Sequence, residues 1–204
     1  TISSGLSPTV DVANKAAADV KKKFPGFNVY AVDSLAATIG QGALVRAALR
    51  MRDEGRTAEE TVAHVSDLRF RIQYMIAVND LYYLKRGGRV SSMTAIAGTV
   101  LGIKPILSFT REGKLEVVDK VRGMKRAFAL ALDKMERFPP VKENELIWIV
   151  HTDAEAEAAE LADLIERKTG FKPDVSIMGP VIGSHVGPGA VAVLWKSAEE
   201  RNDG

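Results

Sequence analysis

The sequence predicts an α/β protein whose organisation changes near residues 70–78. Three observations carry this. Helical and strand-like runs alternate over the first seventy or so positions, the order that builds a mostly parallel sheet. From residue 74 onward, apolar β-branched runs cluster around a hairpin signal, Thr110-Arg-Glu-Gly113. Finally, "LIWIV" at 146–150 runs straight into Thr152-Asp-Ala-Glu155, a buried strand feeding a helix start. The first half thus reads as parallel α/β and the second as mixed-sheet α+β.

The elements follow in order. Thr1-Ile-Ser-Ser-Gly-Leu-Ser7 reads as the end of a strand entering a turn. Pro8 opens a helix over Val10–Phe24, with Val10, Ala13, Ala17, Val20 and Phe24 at helical spacing and Pro25-Gly26 as its stop. Phe27–Val32 ("FNVYAV") is expected as a strand. Leu35–Glu54 is Ala-rich and helical, and Thr57-Ala-Glu-Glu60 is a capping box for the next helix. Strands are expected at Tyr74–Val78, Lys104–Phe109, Lys114–Val121, Leu146–Val150, Val175–Met178 and Ala190–Trp195. Helices are expected at Met93–Leu101, capped by Ser91 or Ser92, at Met124–Phe138 before Pro139-Pro140, and after Thr152.

Composition closes several functional classes. The 204 residues contain no cysteine, which excludes disulfide scaffolds, thiolate catalysis and Cys-type zinc sites and fits a cytoplasmic protein. The net charge of +2 is spread without a basic stripe, so nucleic acid is not an expected partner. No two of the three histidines share a metal-ligand spacing. The charge-free run Val90–Ile103 falls short of the ~20 apolar residues a bilayer requires.

The candidate motifs are weak one at a time. Gly98–Lys104 has the wrong spacing for a phosphate loop, and Pro105 follows the lysine. Lys85-Arg-Gly-Gly-Arg89 reads either as a solvated turn or as an anion anchor. Met93–Ile103 is apolar on every face; it is a core helix or the wall of a tunnel. His64 reads as surface, and His151 as a structural hydrogen bonder more than a ligand group. Ile2–Ser7 offers hydroxyls and amides before a helix, as an N-cap or an anion site. "VIGSHVGPG" at 181–189 reads as a glycine loop that lets a backbone approach a ligand beside His185.

Taken together, Ser3-Ser-Gly-Leu-Ser7, Val32-Asp-Ser34 with Gly40-Gln-Gly42, Leu84-Lys-Arg-Gly-Gly-Arg89, Ile103-Lys-Pro-Ile-Leu107, Lys120-Val-Arg-Gly123, Val150-His-Thr-Asp153 and Gly183-Ser-His-Val-Gly-Pro-Gly189 resemble, in this order, the DegV family of bacterial fatty-acid-binding proteins. The resemblance spans Thr1 to about Trp195. It implies a two-domain DegV-like α/β architecture, with the remainder of an N-terminal domain at 1–72 and a C-terminal domain at 73–204. It implies a long-chain fatty acid held between the domains, no other cofactor and no metal. The protein would not be the catalyst: it would present the acyl carboxylate to a separate fatty acid kinase for acyl-phosphate formation.

By the same resemblance, Ser4 with Ser3 would hold the carboxylate and His185 would sit beside it. Arg89 and Ser184 would lie near the site or face the partner. Ile96, Ala97, Val100 and Leu101 would line the acyl tunnel. A monomer is expected, and transient membrane contact is compatible with the role. The sequence departs from the family twice. Family members carry several dozen residues before the Ser-Ser-Gly motif, including a Thr-Ser pair that also holds the carboxylate, so the first domain is expected to be incomplete and its site open on one side. Pro8 also stands where Gly is usual. Two other readings stand beside this one: a small-molecule phosphotransferase related in fold to dihydroxyacetone kinases, and a lipid-responsive regulatory module.

Overall fold

A computed structural model describes residues 1–90, 102–141 and 147–202. The chain opens with three helices: α1 (Thr9–Lys23), α2 (Ile39–Asp53) and α3 (Ala58–Leu68). It continues through β1 (Ile72–Ala77), α4 (Tyr82–Arg86), β2 (Ile103–Phe109), β3 (Leu115–Arg122), α5 (Met124–Arg137), β4 (Ile147–Thr152), α6 (Glu155–Thr169), β5 (Asp174–Ile177), α7 (Pro180–Val186) and β6 (Ala190–Lys196). The class is α/β with one mixed six-stranded sheet, ordered β3-β2-β1-β6-β4-β5. β4 and β5 run parallel, and every other neighbouring pair is antiparallel.

Local chemistry accounts for the elements. Asp11 lies in the first turn of α1 and Lys21, Lys22 and Lys23 in its last, each complementing the helix dipole. The capping box of α3 is complete: Glu60 N–H donates to Thr57 Oγ1 at 3.1 Å, and Thr57 N–H to Glu60 Oε2 at 2.9 Å. α6 ends on Gly170 in the left-handed conformation.

Three expectations are corrected. Phe27–Val32 joins no strand of the sheet. Its β-branched and aromatic content signals an extended backbone, but its described pairing is limited. Thr1 donates to the Val32 carbonyl at 2.7 Å and Ser34 N–H to the Thr1 carbonyl at 3.2 Å, while Phe27, Val29 and Tyr30 stay exposed. Helix α6 takes no cap from Thr152 or Asp153; Ala154 occupies the cap position, and its N–H donates to His151 Nδ1 at 3.3 Å. The stretch read as a glycine loop is largely the helix α7, with Pro180 at its first turn. The expected helix at Met93–Leu101 lies outside the described residues, and the expected division at 72/73 falls at the start of β1.

Strand alternation divides the core between the two faces of the sheet. Ile72, Tyr74, Leu107, Phe109, Leu115, Val150, Ala192 and Leu194 face one cluster, which also takes in Ala36, Leu44 and Leu68 from the first seventy residues. Ile106, Ile147, Ile149, Val191, Val193 and Trp195 face the other, beneath Phe128 and Ala131 of α5 and Leu161 and Ile165 of α6. Buried Arg201 ties the first cluster to the hairpin, donating to the carbonyls of Arg69 at 2.6 Å and Thr110 at 3.1 Å.

One group on the second face sets a pH dependence. Burial, and after it the charges of Arg137 and Arg201, push the Lys134 ammonium from 10.5 down to about 8. Between those values the unfolded chain holds a proton that the folded chain has released, so stability rises with pH through this window. Lys134→Leu removes the dependence. Urea unfolding at about pH 7.5 and about pH 9.5 is expected to show wild type gaining roughly 2 kcal/mol on the variant.

Candidate functional site

The first face of the sheet holds a cavity of about 280 Å³, close to the ~300 Å³ lower bound for small-molecule sites. Its floor is Ile76 and Val78 of and after β1, Leu107 and Phe109 of β2 and Ala192 of β6. Its walls are Ile2 and Leu6 from the N-terminal turn, Ala37, Leu84, Met178, Val181 and Ile182. Among the described residues, five lining side chains are polar: Ser7, Thr9, Thr38, Arg89 and His185.

Four of these five belong to one rim. Arg89 Nε donates to the Leu6 carbonyl at 3.3 Å and its Nη1 to the Gly87 carbonyl, bridging α4 to the N-terminal turn. Ser7 and Thr9 share a hydroxyl hydrogen bond of 2.7 Å beside Leu6. Gly87 lies against His185, and a Cβ there would run into Nδ1 of the imidazole. Thr38 marks the start of α2 with φ 46°, a left-handed conformation that a β-branched residue rarely takes. The cavity is therefore apolar in its depth, with one cation and one imidazole at its edge. It suits a long apolar ligand with a single acidic end.

Fixed contacts position His185. Gly187 sits at φ +83°, and a Cβ there would strike the ring of Tyr83, so α7 docks on α4 only through a glycine. Thr152 pins the same turn: its Oγ1 donates to the Gly187 carbonyl at 2.6 Å and accepts from Ala190 N–H at 3.0 Å.

The residues expected from the sequence divide. His185 and Arg89 line the cavity together. Ser3 is fully buried outside the lining; its hydroxyl donates to the Gly113 carbonyl at 2.7 Å and accepts from Gly5 N–H at 3.1 Å, holding the N-terminal turn to the hairpin. Ser4 is exposed beside it, its N–H donating to Asp33 Oδ1 at 3.1 Å. Ser184 is exposed on α7 and donates to the Val181 carbonyl at 2.8 Å. Ile96, Ala97, Val100 and Leu101 lie outside the described residues. Ser7, one of the hydroxyls read at Ile2–Ser7 as an N-cap or an anion site, lines the cavity; sequence reasoning missed Thr9 and Thr38, which line it as well.

His64 is exposed and His151 is buried in β4. Among the described residues, no group of three His, Asp or Glu could hold a metal ion, and no helix is long and apolar enough to cross a membrane.

Comparison with known proteins agrees with this architecture. Residues 1–198 match the family model DegV, described as "Uncharacterised protein, DegV family". A DegV domain-containing protein of Lactococcus lactis, YteA, is 37% identical over 201 residues, covering 98% of this chain and 69% of the relative. A DegV family protein from Eubacterium eligens, loaded with heptadecanoic acid, superposes with a TM-score of 0.87 at 25% identity, over 97% of this chain and 71% of that one. The fatty acid binding DegV family protein of Streptococcus agalactiae gives a TM-score of 0.80 at 31% identity, over 97% and 68%. With its family model matched over nearly its whole length, the chain belongs to the DegV family.

Proposed function

We propose that the protein binds one long-chain fatty acid in the cavity of the first sheet face and presents its carboxylate to a separate fatty acid kinase, without catalysing the transfer itself. The observation that carries this reading is the cavity: apolar floor and walls, with Arg89 and His185 at the edge. Solved relatives described as fatty acid binding support it. A tail of about fifteen buried methylenes contributes roughly 12 kcal/mol gross, before association costs of several kcal/mol. The tail therefore supplies affinity, and the polar rim fixes which end emerges.

The head-group set in this proposal is Ser4 and His185, with Ser3 holding the N-terminal turn through its bond to the Gly113 carbonyl, and Arg89 and Ser184 facing the kinase. Acyl contact by Ile96, Ala97, Val100 and Leu101 extends the same proposal. A cytoplasmic monomer that meets the membrane transiently fits a carrier that must acquire and release lipid.

His185→Ala is expected to keep fatty acid binding within about fivefold of wild type, because the tail is untouched, and to lower kinase-dependent acyl-phosphate formation at least about tenfold. Phosphorylation of bound lipid at the wild-type rate would remove His185 from the presenting role. The function as a whole is tested by incubating the lipid-loaded protein with ATP, with and without a fatty acid kinase. Acyl phosphate is expected only with the kinase. Turnover of ATP by the protein alone would make it a phosphotransferase.

A further inference from the structure

Two neighbouring glycines follow α4, and different physics accounts for each. Gly88 has φ +69°, a conformation that favours glycine, and nothing stands where its Cβ would point. Gly87 has φ −76° and ψ −10°, ordinary helical backbone that alanine adopts readily. Its backbone does not ask for glycine, but its surroundings do. A Cβ there would overlap His185 Nδ1 and come to 3.1 Å from Cε1, while the Tyr83 carbonyl oxygen stands at an ordinary 3.4 Å. The neighbour that an alanine would displace is therefore the imidazole.

Gly87 also meets the second charged or titratable group of the rim. Its carbonyl accepts from Arg89 Nη1, and Arg89 Nε reaches the Leu6 carbonyl at 3.3 Å. The same residue thus touches the guanidinium through its carbonyl and the imidazole through its bare Cα. The platform around it is held. Gly87 N–H donates to the Tyr83 carbonyl at 3.0 Å and Arg89 N–H to the Leu84 carbonyl at 3.0 Å. The Arg86 guanidinium lies over the rings of Tyr82 and Tyr83, at 5.8 and 5.7 Å from their centroids. Helix α7, which carries His185, meets this platform where Gly187 abuts the Tyr83 ring.

We propose that Gly87 is a positioning residue, which sets where His185 and Arg89 stand relative to each other at the cavity edge. It leaves room for the imidazole on one side and holds the guanidinium on the other. This rests on the reading of His185 as the group that presents the acyl carboxylate. With alanine at 87 the ring retreats by roughly 1 Å, the scale at which misplacement near a reacting centre costs on the order of 100-fold. The apolar floor and walls of the cavity are untouched, so the tail keeps its contacts.

The test compares Gly87→Ala, His185→Ala and the double variant in the whole chain. Gly87→Ala is expected to melt within about 2 °C of wild type, because its backbone already suits alanine. It is expected to bind heptadecanoic acid within about fivefold of wild type and to lower kinase-dependent acyl-phosphate formation at least about tenfold. On the His185→Ala background the same change is expected to alter that rate by less than about twofold, since the group it positions is gone; a merely structural role would cost the same on both backgrounds. Imidazole NMR reads the position without the kinase. The His185 Hε1 resonance, identified by its loss in His185→Ala, is expected to move in Gly87→Ala while those of His64 and His151 stay. Gly88→Ala, strained in its backbone but free of the clash, is expected to lower the melt by about 2–4 °C and to leave the His185 resonance in place.

An unmoved His185 resonance in Gly87→Ala, an equal displacement by Gly88→Ala, transfer by Gly87→Ala at the wild-type rate, or additive losses in the double variant would each overturn the proposal. So would a Gly87→Ala melt lower by more than about 6 °C, which would mean that the backbone yields instead of the ring. Where His185→Ala is impaired, these results remove the role of Gly87 alone. Transfer by His185→Ala at the wild-type rate would instead remove the presenting role of His185, and the positioning role with it.

Discussion

Ala192→Phe is expected to abolish fatty acid binding, weakening it at least ~100-fold, while the protein stays folded. Ala192 lies on β6 between Ile76 and Val150 and lines the acyl cavity from the floor. A phenyl group there points into space that is already apolar and unfilled, so it occupies the ligand's volume without needing the strand to move far. The expected cost to the fold is about 1–3 kcal/mol of overpacking, against the much larger loss of acyl contact. Titration with heptadecanoic acid after delipidation, checked by a thermal melt, measures both. Binding within about threefold of wild type would place the acyl chain somewhere other than this cavity.

Thr152→Val is expected to be the most destabilising of the conservative changes, at about 3 kcal/mol. The shapes are nearly equal, so packing is kept. Removal of the hydroxyl strands two buried backbone groups, the Gly187 carbonyl and the Ala190 N–H, each costing about 1–3 kcal/mol. For a chain of this size that lowers Tm by roughly 6–12 °C. The same loss loosens the turn that seats α7, so kinase-dependent acyl-phosphate formation should fall along with His185→Ala even where fatty acid binding survives. Thr152→Ser, which keeps the hydroxyl, is expected to recover most of both. A Thr152→Val melt within about 1 °C of wild type would show that the turn is held by other contacts.

Much of the fold was legible because local chemistry and tertiary pairing agree. The strand runs expected at 74–78, 104–109, 146–150 and 190–195 are bounded by turns and rich in apolar and β-branched residues, and each overlaps a strand, at 72–77, 103–109, 147–152 and 190–196. The Thr57–Glu60 capping box and the Pro139-Pro140 stop fell where expected. Phe27–Val32 failed because composition marks an extended backbone but does not supply a neighbouring strand. Residues 180–186 failed because Gly183 and the flanking glycines outweighed the one helix signal present, Pro180 at the first turn.

The site divides along the same line. His185 and Arg89 were legible as polar groups among glycines, where close approach matters. The acyl floor was not, because β1, β2 and β6 present apolar residues on both faces and periodicity does not say which face leaves a space. Ser3 shows the converse limit: a hydroxyl in a motif has no assigned partner until the Gly113 carbonyl is seen to take it.

The central claim is that this chain carries a long-chain fatty acid. Native mass spectrometry of the purified protein, before and after organic extraction, tests it most directly. The expected spectrum shows one added mass of a long-chain fatty acid per chain, lost on extraction and restored by one equivalent of heptadecanoic acid. A spectrum with no such mass, from a protein that also refuses added fatty acid while remaining folded, would contradict the account.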